Sequence, residues 1–202
     1  MLRLYDMLAS GNAYKVRLLL WQLGQPFHRV EMDILKGETR TPQFLAINPN
    51  GRVPTIVLPG GESLPESNAI LWYLAEGTPY LPADRLGRAQ VLRWMFFEQY
   101  SHEPFIAVAR FWLHFPGGLD DLRRAQLPDK HKGGHAALDV MERHLAKNDF
   151  FVGQRYSIAD IALYAYTHVA DEGGFDLARY PAIQAWMARV KAQPGHVRID
   201  QV

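Results

Sequence analysis

The hydrophobic pattern of this chain changes period at Gly77. Before that point short apolar or alternating runs take turns with amphipathic stretches, and beyond it every periodic segment is helical. Leu2 to Met7 reads as a buried strand. Val16, Leu19, Leu20 and Leu23 fall at i, i+3, i+4 and i+7 and place a helix over Asn12 to Leu23, which Gly24 ends. Phe27 to Asp33 alternates with period two, a second strand. Thr41-Pro42 is an N-cap followed by proline at the first helical position and opens a short helix through Ile47. Thr55 to Leu58 and Glu62 to Leu64 flank Pro59-Gly60-Gly61 and form a hairpin, after which Glu66 to Glu76 returns to helix. The order β-α-β-α-β-β-α gives two strands joined by a helical crossover, suited to parallel pairing, followed by an antiparallel pair.

Residues 78–85 continue a stretch with two prolines and a glycine and read as a linker. Residues 86–202 then form an all-α module. Its first long helix, Leu86 to Leu113, carries Val91, Trp94, Met95, Phe96, Tyr100, Phe105, Phe111 and other apolar residues over more than one face. Such a helix must be covered on several sides, by its own module and by a partner subunit or an apolar ligand. Pro104 should kink it. A second helix is expected from Asp129 to Lys147, and the four Gly-Gly doublets mark loops or loose helix ends.

Composition excludes several classes. Hydrophobic residues make up 48% of the 202, enough for a buried core. There is no cysteine, hence no disulfide, thiolate metal site or catalytic thiol, and any sulfur chemistry must arrive with a ligand. The net charge is +1, with no basic face for nucleic acid. The N-terminus lacks a signal-peptide pattern and the apolar run Leu18 to Trp21 is too short for a bilayer, so a soluble cytoplasmic protein is expected. Among the eight histidines, His131 and His135 are one helical turn apart, yet no third ligand completes a set, and no metal is expected.

Four stretches can carry chemistry. At Ala9-Ser10-Gly11-Asn12 a strand feeds a helix, where free amides face a ligand or Ser10 simply caps. In Asn50-Gly51-Arg52-Val53-Pro54-Thr55 the proline suits an ordinary trans strand start, which base frequency favours, or a special turn with a cis bond. Glu66 and Ser67 stand at a helix N-terminus, as a plain cap or as a carboxylate and hydroxyl for the two charges of an amino-acid end group. Ser157 and Asp160 have capping-box spacing, with Tyr156 and Ile161 at staple spacing, and read as structural. No phosphate-binding glycine string or G-x-S-x-G elbow occurs.

Taken in order, "NPNGRVPT", "LPESNAI" and "GQRYSIADIAL", with the two-part pattern, resemble the glutathione transferase superfamily, bacterial, of the serine (theta-like) type or like the Nu class. The resemblance implies a thioredoxin-like glutathione-binding domain over residues 1–77, a helical bundle domain over 86–202 and a homodimer. It implies a cis Pro54, with Val53 pairing its backbone to the cysteinyl part of glutathione, and Glu66 and Ser67 holding the γ-glutamyl end. Arg52 belongs to that site, and Lys36 and Thr39 are the candidates near the glycyl carboxylate. Ser10 matches the serine that faces the sulfur, and Asn12 the asparagine of the Nu pattern. Leu8, Ala9, Tyr100, Phe105 and Phe111 are the implied walls of an apolar second-substrate pocket. The implied activity is conjugation of the glutathione thiolate to an apolar electrophile. A glutathione-dependent disulfide reductase or peroxidase, acting on a disulfide or hydroperoxide, and a non-catalytic ligand-binding or interaction module are the alternatives.

Overall fold

A computed structural model describes residues 1–201, which divide into two compact units. The first comprises Met1–Thr78 together with the tail from Pro194, and the second runs Pro79–Gln193. The tail, expected in the helical module, therefore belongs with the first unit. The tethers are polar and local to one helix. The Tyr14 hydroxyl donates to the Val197 carbonyl at 2.7 Å, and Arg17 donates to the Ile199 carbonyl at 2.7 Å.

In the first unit a four-stranded sheet has the order β2-β1-β3-β4, with β1 (Leu2–Asp6), β2 (Phe27–Glu31), β3 (Thr55–Val57) and β4 (Ser63–Pro65). β1 and β2 are parallel, and the β1–β3 and β3–β4 pairs are antiparallel. This is the thioredoxin-like arrangement, followed by an all-helical unit. The first helix, α1 (Gly11–Gln22), was expected to bury one stripe, but Ala13 to Leu20 are all buried, Lys15 and Arg17 included. The added cover comes from the returning tail, where Gly195 at φ 71° lies against the backbone of Gln22 so closely that a Cβ would sit 2.9 Å from the Gln22 Cα. Thr41 caps α2 (Pro42–Leu45), its hydroxyl accepting from the Phe44 N–H at 3.3 Å. α3 (Ser67–Ala75) closes the unit.

The second unit departs from the sequence expectation in three places. The single kinked helix over Leu86 to Leu113 is instead α4 (Arg85–Phe97), a π-helical turn over Glu98–His102, and α5 (Glu103–His114). Pro104 stands in the first turn of α5, where a missing N–H costs least, and the wider turn ahead of it absorbs the proline. α6 (Asp121–Leu145) starts eight residues earlier than expected and runs through Pro128. Its start is fixed by Asp120, whose side chain accepts from the Arg123 N–H at 2.8 Å. Gly133 and Gly134 are neither loop nor helix end. They lie inside α6, where a Cβ on either would fall 2.3 Å from the ring of Phe105 or Phe175, so they are sites of close packing.

α7 (Ile158–Thr167) is buried on every side and forms the centre of this unit, with α8 (Pro181–Lys191) packed on it. The capping box that starts α7 is present. The enclosed carboxylate of Asp160 accepts from the N–H groups of Phe151 and Ser157 at 3.0 and 2.9 Å, from the Ser157 hydroxyl at 3.1 Å and from the Trp186 indole at 2.9 Å. Burial pushes its carboxyl from 3.8 up to about 6 despite these donors. A raised folded-state pKa favours folding below pH 3.8, and that contribution is lost as pH rises through 6. Among the described residues no helix is long and apolar enough to cross a membrane, and no group of three or more His, Asp or Glu side chains could hold a metal ion.

Removing the Asp160 carboxylate strands four donors, each worth roughly 1–3 kcal/mol when left unpaired in the core. Denaturant unfolding at pH 7 should show Asp160→Ala destabilised by about 3 kcal/mol or more. Asp160→Asn, which keeps one acceptor, should fall between it and wild type and lose the acid-side contribution. A loss under about 1 kcal/mol in the alanine variant would contradict this anchoring role.

Candidate functional site

The joint between β1 and α1 is built from behind by buried charge. Leu2 and Leu4 face the interior, and the same period puts Asp6 there as the last residue of β1. An isolated carboxylate could not stay ionised in that position, so partners converge on it. Arg17 donates to both oxygens at 2.6 Å, and Arg29, from β2, donates to Oδ2 at 2.6 Å. Both Asp6 and Arg17 side chains are fully enclosed. Burial pulls the Arg17 guanidinium below its usual range and the charge of Asp6 opposes that.

Arg17 also takes hold of the loop. Its other terminal nitrogen donates to the Leu8 carbonyl at 2.7 Å, while the Leu8 N–H donates to Glu31 at 3.1 Å. Glu31 in turn pairs with Arg29. A turn closed by the Ser10 N–H on the Met7 carbonyl at 2.8 Å then delivers Ser10 to the N-cap of α1. The Ser10 oxygen accepts from the Ala13 N–H at 3.3 Å. Capping occupies a lone pair of that oxygen and leaves its O–H bond to donate.

The N-termini of α1 and α3 meet side chain to side chain. Ser67, the first residue of α3, donates to the Asn12 carboxamide oxygen at 3.2 Å. The ammonium of Lys15, fully buried, donates to the Ser67 hydroxyl at 3.4 Å. Lysine can only donate, so the order of donors runs from Lys15 through Ser67 to Asn12 and turns the amide nitrogen of Asn12 away from Ser67. Two helix N-termini and one buried cation therefore share one locality, which favours a negative charge. Beside them Glu66, exposed, has φ 71° and ψ 110° and is the one non-glycine residue with positive φ among the described residues. Such a conformation costs of order 1–3 kcal/mol and persists where surrounding structure imposes it.

The proline loop is braced by Asn48. Its amide nitrogen lies 2.9 Å from the Arg52 carbonyl and 3.0 Å from the Thr55 hydroxyl, and its oxygen accepts from the Asn50 N–H at 3.0 Å. The Val53–Pro54 bond is cis, as the family resemblance implied and against the frequency-based preference for trans. Among the described residues nothing pairs with the Val53 N–H or C=O, although the flanking Arg52 carbonyl is taken twice.

The remaining expected residues have the following surroundings. Arg52 is exposed, and Lys36 is exposed in an ion pair with Asp33 at 3.1 Å. Thr39 is 4% exposed within a 3-10 turn, so its side chain is no open contact for a carboxylate. Leu8 and Ala9 are half-buried in the β1–α1 loop. In the helical unit Tyr100 is 85% exposed on the π-helical turn and not a covered wall. Phe105 rests on Gly133 beneath Lys130, and Phe111 stacks on Phe115 at 5.3 Å. Sequence reasoning missed Lys15, Arg17, Asp6 and Asn48. The available signal was two cations set inside the apolar run "KVRLLL" and a carboxylate at the inward position of a buried strand.

Comparison with known proteins agrees with this architecture. Residues 9–76 match the glutathione S-transferase N-terminal domain, and residues 105–194 the C-terminal domain. Glutathione S-transferase 3 of Zea mays is 34% identical, over 96% of this chain and 90% of its own. Disulfide-bond oxidoreductase YfcG of Escherichia coli (strain K12) is 31% identical, over 92% of this chain and 88% of its own. Among solved structures, a glutathione S-transferase from Pseudomonas fluorescens Pf-5 superposes with TM-score 0.96 at 55% identity, covering 99% of each chain. Ure2p in complex with glutathione superposes with TM-score 0.85 at 26% identity, over 96% of this chain and 90% of that one.

Proposed function

This chain belongs to the glutathione S-transferase family, and on that premise we propose that it binds glutathione in its first unit and transfers the thiolate to an apolar electrophile. The observation that carries the reading is the junction of the α1 and α3 N-termini through Lys15, Ser67 and Asn12. The γ-glutamyl carboxylate belongs at the amides of α3 beside Ser67, with the ammonium on Glu66, whose strained backbone holds its carboxylate at the same helix end. The unpaired main chain of Val53 suits the cysteinyl peptide unit. In this reading the sulfur faces Ser10. A hydroxyl that donates to sulfur favours thiolate over thiol and raises the fraction of nucleophile at neutral pH. Ser10 need not act as a base for this. The cytoplasm, where glutathione is kept reduced, is the compartment this chemistry requires.

One arrangement favours the second reading, a glutathione-dependent disulfide reductase. Asn12 is held with its oxygen on Ser67, so its NH2 end is oriented as a donor, and YfcG, an oxidoreductase by name, shares 31% identity. Turnover of a halonitroarene, a small hydroperoxide and a glutathione mixed disulfide separates transferase, peroxidase and reductase. Glutathione binding with no turnover of any of the three marks a ligand-binding module.

The Ser10 hydroxyl can be tested at the thiol itself, by following thiolate ultraviolet absorbance of bound glutathione against pH. A charged hydrogen bond of roughly 1.5–3 kcal/mol corresponds to a fall of about one to two pH units from the reference thiol value of about 8.5. Ser10→Ala should abolish that fall, returning the thiol toward its reference value, and also cost about 1 kcal/mol of stability through the lost cap. A change with Asn12→Ala and none with Ser10→Ala would assign the sulfur to the carboxamide and favour the reductase. If both variants bind glutathione with unaltered titration, the joint is only a cap.

We further propose that the chain is a homodimer. Leu92, Phe96 and Tyr100 recur every four residues along α4 and the π-helical turn, and Phe96 and Tyr100 are 68% and 85% exposed. Sedimentation at micromolar concentration should give about twice the 23.0 kDa chain mass, reduced toward one chain by Phe96→Asp. A single 23.0 kDa species in wild type would rule the dimer out.

A further inference from the structure

A serine hydroxyl has a single proton to donate, and at the start of α3 two side chains of α1 decide where that proton goes. Lys15, fully enclosed, donates its ammonium to the Ser67 oxygen at 3.4 Å, and the Ser67 O–H donates to the Asn12 carboxamide oxygen at 3.2 Å. An ammonium donates and never accepts, so Lys15 fills a lone pair of Ser67 and the hydroxyl proton must point away from it. Were an acceptor in the place of Lys15, the proton could turn inward and leave only lone pairs to face a ligand. The lysine thus keeps Ser67 a donor, and its charge polarises the O–H bond that it directs.

In the free chain that bond ends on a neutral amide oxygen. A carboxylate is the stronger acceptor, with hydrogen bonds roughly twice as strong as those between neutral groups. Arriving at the amides that open α3, it takes the Ser67 proton over from Asn12, while Lys15 keeps its hold on the oxygen. We propose that Lys15 is a positioning residue for the γ-glutamyl carboxylate of glutathione, acting through Ser67. This role rests on the glutathione reading and adds to it a side chain from the other helix, one that raises affinity by setting the direction of a donor.

Two probes separate the role from a general effect on the fold. They are S-hexylglutathione and S-hexylcysteinylglycine, the same molecule without its γ-glutamyl end, each titrated calorimetrically into the full chain. Lys15→Met, of similar size but with no donor, should weaken S-hexylglutathione about tenfold or more and S-hexylcysteinylglycine less than about threefold, as the loss of one charge-assisted hydrogen bond requires. Lys15→Gln, shorter and uncharged, should give the same split and is the variant to use if methionine does not fold. In a Ser67→Ala background, adding Lys15→Met should cost less than about threefold more, because the hydroxyl through which the lysine acts is gone. Equal weakening of both probes, a Lys15→Met loss that persists undiminished in Ser67→Ala, or unchanged S-hexylglutathione affinity in a folded Lys15 variant would each overturn the role of Lys15 and leave the glutathione reading intact. Failure of the wild-type chain to bind S-hexylglutathione would overturn both.

Discussion

The first unit depends on one carboxylate placed where a strand should end in an apolar side chain. Asp6 occupies the inward face of β1, and its charge is tolerable there only because Arg17 and Arg29 reach it. Arg17 comes from the second turn of α1 and Arg29 from the middle of β2, so the pairing fixes how the helix and the neighbouring strand sit on β1. A buried ion pair contributes little net stability compared with apolar packing, whereas losing one partner typically costs about 3–5 kcal/mol. Its value here is geometric. The guanidinium that neutralises Asp6 also grips the Leu8 carbonyl and the Ile199 carbonyl, tying the loop before Ser10 and the returning tail to the same point.

From that anchor the site follows by a short chain of contacts. The fixed loop ends in a turn, the turn presents Ser10 as the cap of α1, and Asn12 and Lys15, within the next five residues, reach Ser67 at the start of α3. The backbone strain is concentrated at Glu66, next to that contact and at the N-cap of α3. Donors fixed in advance around an anion need no reorganisation when charge develops, which is how such a cluster would lower the pKa of a bound thiol.

Much of this could be read from the sequence, and the misses share a cause. Ser10, Thr41 and the Ser157–Asp160 box were legible because caps depend on residue type and spacing over three or four positions. The order of elements along the first unit and the hairpin were legible from period and turn residues. Lys15 and Arg17 were not, because periodicity assigns charged residues to solvent and cannot register a carboxylate arriving from a strand to meet them. Gly133 and Gly134 read as loop because their reason for being glycine is the ring of Phe105 or Phe175, distant in sequence. Pro104 read as a kink in one helix, yet it follows a π-helical turn that parts two helices, and Pro128, just before the expected start at Asp129, is carried inside α6. Thr39 was a candidate by position alone, and its burial is a tertiary fact.

The position of the glutathione sulfur decides whether Ser10 is more than a cap. A crystal structure of the chain with glutathione bound measures this directly. The sulfur is expected within hydrogen-bonding distance of the Ser10 hydroxyl, the cysteinyl peptide paired with Val53, and the γ-glutamyl carboxylate on the first amides of α3 beside Ser67. Glutathione bound elsewhere, or bound here with its sulfur remote from both Ser10 and Asn12, would contradict it.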